Sequence, residues 1–400
     1  MSAPVAGGAS VSEGGPRLQI VQVCPFFAPH VGGVESHVEM VAAELSRRGH
    51  HVTVVTSRHD RSLPAVERRP DGVRVIRVRN LGTFYNTPIP LGIGRALRAG
   101  TADIVHLHYP PPITSFWAVR GLRGRGGPPV CLTYHCDLYL EGPVGHLLTG
   151  LYERVFLPPT LDGVDRIVVH TASYAHTSRS LQGREFLAIP SLVDTERFHP
   201  REDDPELRKE LGAGGRPVVL FVGRLVPHKG VDDLLRAVEI LPPQALLVVL
   251  GEGPRRESWE AQARARGLLD RVRFVGAVPD EDLPRYHALA SVVVLPSQNR
   301  LEGFGLAIAE AMASGRPAVV ADLPGVREVI EAGWDGLLAQ PLLPEDLARQ
   351  CARLLSDPAQ ARLMGERARE SALRKYRREI VVDQIEAMYR ALRRSPSSAR

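Results

Sequence analysis

Apolar residues recur along this chain in short runs separated by stretches of helical spacing. Leu18–Cys24 has the compact apolar character of a buried strand. After a Pro/Gly loop from Pro25 to Gly33, Val34, Val38, Val41 and Leu45 fall on one helical face, and Gly49 ends the helix. His51–Ser57 reads as a second strand, so strand, helix and strand form a parallel crossover unit. Further strands are expected at Val73–Val78, Ile104–His108, Val130–Tyr134, Arg166–His170 and Phe186–Ile189.

Charge and proline interrupt the pattern at Asp194–Pro205, and beyond it the alternation restarts more cleanly. Strands are expected at Pro217–Val222, Ala245–Leu250, Val272–Val275, Ser291–Leu295, Pro317–Ala321 and Gly336–Ala339. Helices are expected at Val231–Ile240, Glu257–Arg266, Asp280–Leu289, Leu306–Ser314 and Glu345–Leu355, with a helical Arg-rich tail from Ala359 to Arg394. Both halves share this βα grammar, which predicts an α/β protein of two doubly wound, Rossmann-like domains facing a cleft. The expected bounds are 17–200 and 201–372, then a helix at 373–394, with tails at 1–16 and 395–400.

The length of 400 residues supports two cores, and the 44% hydrophobic content suits a globular protein. No run approaches the ~20 apolar residues of a membrane span. Residues 1–16 lack a basic start and an apolar centre, so a disordered tail is expected there and not a signal peptide, with the cytosol as the expected location. Cys24, Cys131, Cys136 and Cys351 are few and irregularly spaced, as for reduced thiols. The net charge of +5 favours peripheral contact with an anionic membrane. No stripe of basic and aromatic residues points to nucleic acid. Only Lys209, Lys229 and Lys375 are lysines, among fifty Lys and Arg, so a Lys in a strand-to-helix loop gains weight.

Ligands of open α/β sheets sit at strand carboxyl ends against helix N-termini, and four such loops carry chemistry. Gly32-Gly33-Val34-Glu35 opens a helix with bare backbone that suits an anion, although an ordinary tight turn uses the same residues. Gly223-Arg224 and Lys229-Gly230 bracket a loop whose two cations suit a diphosphate; the order Lys-Gly differs from the Gly-Lys-Ser/Thr of a triphosphate-binding loop. Glu302 and Glu310 flank Gly303-Phe304-Gly305-Leu306 at a helix start, where carboxylates accept from vicinal hydroxyls and free N–H groups receive phosphate. His135, in Thr133-Tyr134-His135-Cys136-Asp137, stands at a strand end and suits either a cleft or a structural role. His106, His108, Cys131, His135 and Cys136 match no zinc spacing, and Asp280-Glu281-Asp282 reads as a helix start, so no metal ligands are assigned.

Together these segments resemble glycosyltransferase family four, retaining enzymes of the GT-B fold, from about Leu18 to Arg394. Pro190–Asp194, Phe198-His199-Pro200, Gly251-Glu252-Gly253-Pro254 and Ala311–Pro317 also look like its landmarks, with Leu192 a departure where many relatives carry Gly or Asn. The start Gly32–His37 is similar to that of the phosphatidylinositol mannosyltransferases. The resemblance implies transfer of a hexose, mannose first, from a nucleotide diphosphate sugar without cofactor or metal. The acceptor would be a glycan, a lipid-linked sugar or a polyol. It implies that Arg224 and Lys229 bind the diphosphate, Glu310 the ribose and Glu302 the sugar hydroxyls. The amides of Phe304, Gly305 and Leu306 would touch sugar or phosphate, Val278 would flank the base, and His135 would lie near the reacting carbon. Gly33 would approach the donor, and Gly32, Gly33, Tyr134 and Asp137 the acceptor. The last helix would cross back to the first domain. A nucleotide-sugar epimerase, a phosphorylase on this fold, and a non-catalytic nucleotide-sugar-binding subunit are the alternatives.

A lipid-facing surface is a further expectation. Ile113–Val119, with Phe116 and Trp117, runs into Arg120, Arg123 and Arg125, and Leu138–Leu157 is apolar between glycines and prolines. A core helix beside a basic loop has the same composition.

Overall fold

A computed structural model describes residues 16–30, 32–84, 87–110, 112–122, 127–140 and 142–394. The expected tails therefore lie outside the described residues except for Pro16, as do Arg123 and Arg125.

The chain forms two sheets. The first contains β1 (Gln19–Val23), β2 (His51–Arg58), β3 (Val66–Arg68), β4 (Arg74–Phe84), β5 (Thr87–Leu91), β6 (Ile104–Tyr109), β7 (Val130–Tyr134), β8 (Arg166–Val169) and β9 (Leu187–Ala188). Their order is β3-β4-β2-β1-β6-β7-β8-β9, with β5 paired to β4. The second contains β10 (Val218–Val222), β11 (Leu246–Leu250), β12 (Val272–Gly276), β13 (Val292–Leu295), β14 (Ala318–Ala321) and β15 (Gly336–Ala339), in the order β12-β11-β10-β13-β14-β15. The doubly wound expectation holds. Strand order reverses beside β1 in one sheet and beside β10 in the other, and ligand crevices open at such switch points.

Burial on both faces explains the continuous apolar strands, since β6, β7, β11 and β13 are buried along their whole length. The last helix, Arg378–Arg394, packs Val381, Val382, Ile385, Met388 and Leu392 with Leu18, Ile20, Val38 and Val41 of the first sheet and its first helix. A polar rim secures the same contact: Arg48 pairs with Asp383 at 2.6 Å and with Glu386 at 3.2 Å.

Three local expectations need correction. The helical tail divides into Pro358–Lys375 and Arg378–Arg394, so the returning helix expected from 373 starts at Arg378. It breaks where the Tyr376 carbonyl accepts from the Val193 amide at 2.8 Å and the Tyr376 hydroxyl donates to the Val329 carbonyl at 2.8 Å. The helix expected from Asp280 starts at Leu283, and Asp280 and Glu281 stand in the turn before it. Asp282 is its N-cap without a side-chain capping bond; its carboxylate lies 3.3 Å from Arg285. The strand expected at Val73–Val78 runs on to Phe84 and pairs with β5 as an antiparallel hairpin, unexpected because Pro88 and Pro90 lie within β5.

Candidate active site

Second-domain loops meet first-domain loops at the carboxyl ends of the strands. Strand β10 ends at Val222, and Gly223–Lys229 turns into the helix Val231–Ile240 through Gly230, whose φ of 70° suits glycine. A side chain at Gly230 would strike the Pro296 carbonyl, so this turn is held against the loop after β13. The result is an ion pair between Lys229 Nζ and Glu302 Oε2. Arg224 is exposed, and no described residue pairs with its guanidinium.

After β13 the chain reaches Gly305, at φ 88°, which starts the helix Leu306–Ala313 with no side-chain cap. Its first N–H groups therefore remain available for an acceptor from outside. Leu306 is the first helical residue, and Phe304 is buried with its ring 5.6 Å from that of His170 and 5.5 Å from that of Tyr376. Glu310 lies one turn further on, partly open. Desolvation by its walls pushes its carboxyl up to about 8, opposed by Arg197. No donor from the described residues reaches that carboxyl by a side-chain hydrogen bond. Val278 is half-buried in the loop after β12.

Gly303 bridges the domains. A Cβ there would strike the His135 carbonyl and would stand 3.4 Å from Cys136 Cβ. Glu302 and Lys229 are close enough to influence the Cys136 thiol, which burial above all pushes up to about 12. Across the same seam Arg300 Nε lies 2.8 Å from Asp137, and its guanidinium sits 4.7 Å from the Tyr174 ring centre. The Ser173 amide donates to Glu328 at 2.6 Å.

Other expected residues stand differently. His135 reaches the seam, but Nδ1 and Nε2 face His170 and His108 at 2.8 and 3.1 Å, so the ring offers no free nitrogen to a ligand. Tyr134 is a core residue stacked on Tyr109 at 4.5 Å, with its hydroxyl on Asp137 at 2.8 Å. Asp137 is taken up by Tyr134, Ser178 and Arg300, so neither residue presents a free group to an acceptor here. At the first helix Gly33 faces open space, whereas the Glu35 carboxylate folds over Gly32 and lies 3.3 Å from His30.

Sequence reasoning grouped His106 and His108 with His135 only as a zinc set that it set aside, and it missed His37 and His170. His37, His106, His108 and His170 pack around His135, with ring-centre distances of 4.5–5.7 Å between neighbours. The His106-Leu107-His108 alternation was the available signal, because it puts both rings on one face of β6. Among the described residues no group of three or more His, Cys, Asp or Glu is arranged to hold a metal ion. Burial holds all five rings neutral: His106 falls to about 3 and His170 to about 4 from 6.5, and His37, His108 and His135 fall well below it, with mutual repulsion adding.

The sign of the pH effect follows. Below pH 6.5 the unfolded chain takes up protons that the folded chain refuses, so acid destabilises the fold. Each such histidine adds to that loss as pH falls from 6.5 toward its lower folded value. Thermal unfolding followed from pH 7 to pH 5 is expected to show a steep fall in Tm; a flat Tm over that range would contradict the neutral cluster.

Comparison with known proteins fits this geometry. Residues 31–197 match Glycosyltransferase Family 4, and residues 203–371 match Glycosyl transferases group 1. The chain is 31% identical to the D-inositol 3-phosphate glycosyltransferase of Nocardia farcinica, over 84% of this chain and 80% of that protein. It is 37% identical to the alpha-D-kanosaminyltransferase of Streptomyces kanamyceticus, over 66% and 71%. It is also 29% identical to the GDP-mannose-dependent alpha-(1-6)-phosphatidylinositol monomannoside mannosyltransferase of Mycobacterium tuberculosis, over 88% and 93%. Among solved structures, sucrose-phosphate synthase from Thermosynechococcus elongatus superposes with a TM-score of 0.78 at 25% identity, covering 94% of this chain and 99% of that one. The chain belongs to glycosyltransferase family 4.

Proposed function

We propose that this protein moves a hexose, mannose first among candidates, from a nucleotide diphosphate sugar to a glycan, lipid-linked or small polyol acceptor with retention of anomeric configuration. The observation that carries the donor reading is Glu310: a desolvated carboxyl without a protein donor, one turn into a helix whose start is uncapped. Ribose hydroxyls supply the missing donors, and the helix start takes phosphate. The Gly32-Gly33 start and the GDP-mannose named for the mycobacterial relative favour mannose.

Cleavage of the anomeric bond leaves charge on the diphosphate. Lys229, Arg224 and the helix-start amides supply positive charge there, so the reaction proceeds without a divalent metal. Before the donor binds, Glu302 holds Lys229 in place. Donor entry exchanges that pair for a lysine–phosphate contact and a carboxylate–hydroxyl contact. Front-face attack, with the leaving phosphate oxygen taking the acceptor's proton, requires no carboxylate nucleophile. The seam at Gly303 keeps water from the reacting carbon. A panel of sugar nucleotides assayed in EDTA is expected to show turnover with at least one of them, and Lys229→Ala is expected to lose about two to three orders of magnitude. Turnover that vanishes in EDTA, or a variant of near-normal rate, would remove this account of leaving-group stabilisation.

Glu310 gives a calorimetric signature. Its carboxyl holds a proton at pH 7 because its folded value lies near 8. Hydrogen bonds from ribose favour the charged form, so binding of the nucleoside diphosphate expels that proton. Titration in two buffers of different ionisation heat is expected to show proton release for the wild type and less for Glu310→Gln. Equal release in both would move the ribose elsewhere.

The acceptor reading rests on a surface. The helix Gly142–Val155 exposes Val144, Leu147, Leu151 and Val155 along one face, with Leu147 73% open. Trp117 and Tyr139 are also exposed, and so are Arg120 and Arg154. An apolar stripe with cations suits the headgroup boundary of an anionic bilayer. No described helix is long and apolar enough to cross one. Co-sedimentation with anionic vesicles at low salt is expected, weakened by high salt and by Leu147→Glu with Leu151→Glu. Binding to neither anionic nor neutral vesicles would leave a soluble acceptor, such as a small sugar or cyclitol.

A further inference from the structure

A surface cavity of about 400 Å3 opens at the amino ends of the first sheet. Gln19 begins β1, His51 begins β2 and Arg74 begins β4, and all three line it together with Arg17, Thr53 and Arg68. The cleft lies at the carboxyl ends of these strands, about 25 Å away along the eight residues of β2.

Strand register puts most of these side chains on one face of the sheet. Gln19 stands beside His51, Thr53 beside Arg74, and Arg74 directly opposite Arg68 in the antiparallel pair. Residues paired in register share a face, and every second residue of a strand returns to it. Like charges directly opposite each other on neighbouring strands repel, so Arg68 and Arg74 destabilise their own pairing. A carboxylate between them would relieve the strain, and the sequence around them is rich in arginine–carboxylate pairs. Those carboxylates are taken elsewhere: Glu67 by Arg77 at 2.6 Å, Asp71 by Arg69 at 3.2 Å and Asp103 by Arg393 at 3.1 Å. Among the described residues none forms an ion pair or a side-chain hydrogen bond with the guanidinium of Arg17, Arg68 or Arg74. The cavity thus collects three guanidinium groups and no carboxylate.

The lining narrows the chemistry of what would fill it. Guanidinium groups bind phosphate through paired N–H donors, and three of them call for more than one negative charge. No Phe, Tyr or Trp lines the cavity, so it has no platform on which a base stacks. Val52 is the one apolar side chain in the lining and is itself buried, so acyl chains find no contact there. Gly49 and Gly72 add backbone and no side chain to its wall. We infer that this cavity is a second anion site, separate from the donor cleft, for a soluble ligand that carries two or three linked phosphates. The ligand supplies the negative charge that the Arg68–Arg74 pair lacks.

Two measurements test this without reference to turnover. Arg68→Gln with Arg74→Gln removes the repulsion, so the unliganded variant is expected to unfold at a Tm equal to or above that of the wild type. Calorimetry with sodium tripolyphosphate is done on the full chain carrying Arg224→Ala and Lys229→Ala, which weakens phosphate binding in the cleft. It is expected to show saturable binding that falls at least about tenfold when Arg68→Gln and Arg74→Gln are added. Sodium sulfate at the same ionic strength is expected to give no saturable heat. Absence of tripolyphosphate binding, equal binding with and without Arg68 and Arg74, or a lower Tm in the unliganded variant overturns the site. Saturable binding of sulfate as tight as that of tripolyphosphate overturns the requirement for linked phosphates. Co-sedimentation with phosphatidylglycerol vesicles that is lost with Arg68→Gln and Arg74→Gln, in a chain that binds no tripolyphosphate, overturns the soluble ligand in favour of a lipid headgroup.

Discussion

Closure of the cleft depends on a missing methyl group. Gly303 sits where any side chain would overlap the His135 carbonyl, so the two domains meet there by main chain alone. That close approach brings Glu302 and Lys229 within electrostatic reach of Cys136 and lets Phe304 pack on His170. It also explains why the segment needs two glycines with different duties. Gly303 yields space, whereas Gly305 supplies a backbone angle of 88° that turns the chain into its helix.

Around that seam, charge and burial are arranged in opposite ways on the two sides. The second-domain side is polar and part-open, with a cation–carboxylate pair and a desolvated carboxyl that no side chain of the described residues hydrogen-bonds. The first-domain side is a desolvated set of rings kept uncharged. A neutral wall beside the Lys229–Glu302 pair adds no further cation to the field there. A protonated imidazole in that wall would find no carboxylate among its hydrogen-bond partners.

Much of this was legible in the order of residues, because strand runs and helix starts are local. The alternation gave both sheets, and Glu302–Glu310 and Gly223–Gly230 marked the two loops that the fold brings together as the Lys229–Glu302 pair. Long-range facts were not legible. Asp137 looked available until Arg300, more than 160 positions later, was seen to claim it. Tyr134 alternates into the core face of β7, and Asp280–Asp282 precedes its helix because the turn, and not the acidic composition, sets the start. The hydrogen-bonded chain of Gln22, His106, His108, His135, His170 and Tyr389 joins residues that become neighbours only through strand order and the return of the last helix.

That return has a consequence for how the protein is made. Synthesis runs from the amino end, and domains generally fold as their residues emerge. Here the first sheet's outer apolar face is covered by Val381–Leu392, and its buried polar chain is completed by Tyr389, so the domain synthesised first receives this wall from residues that follow the whole second sheet. Until then Leu18, Ile20 and Val41 lack the cover this helix gives them, and His106 and Gln22 lack their common partner. The first half of this enzyme is thus begun early and finished only when the second half already exists.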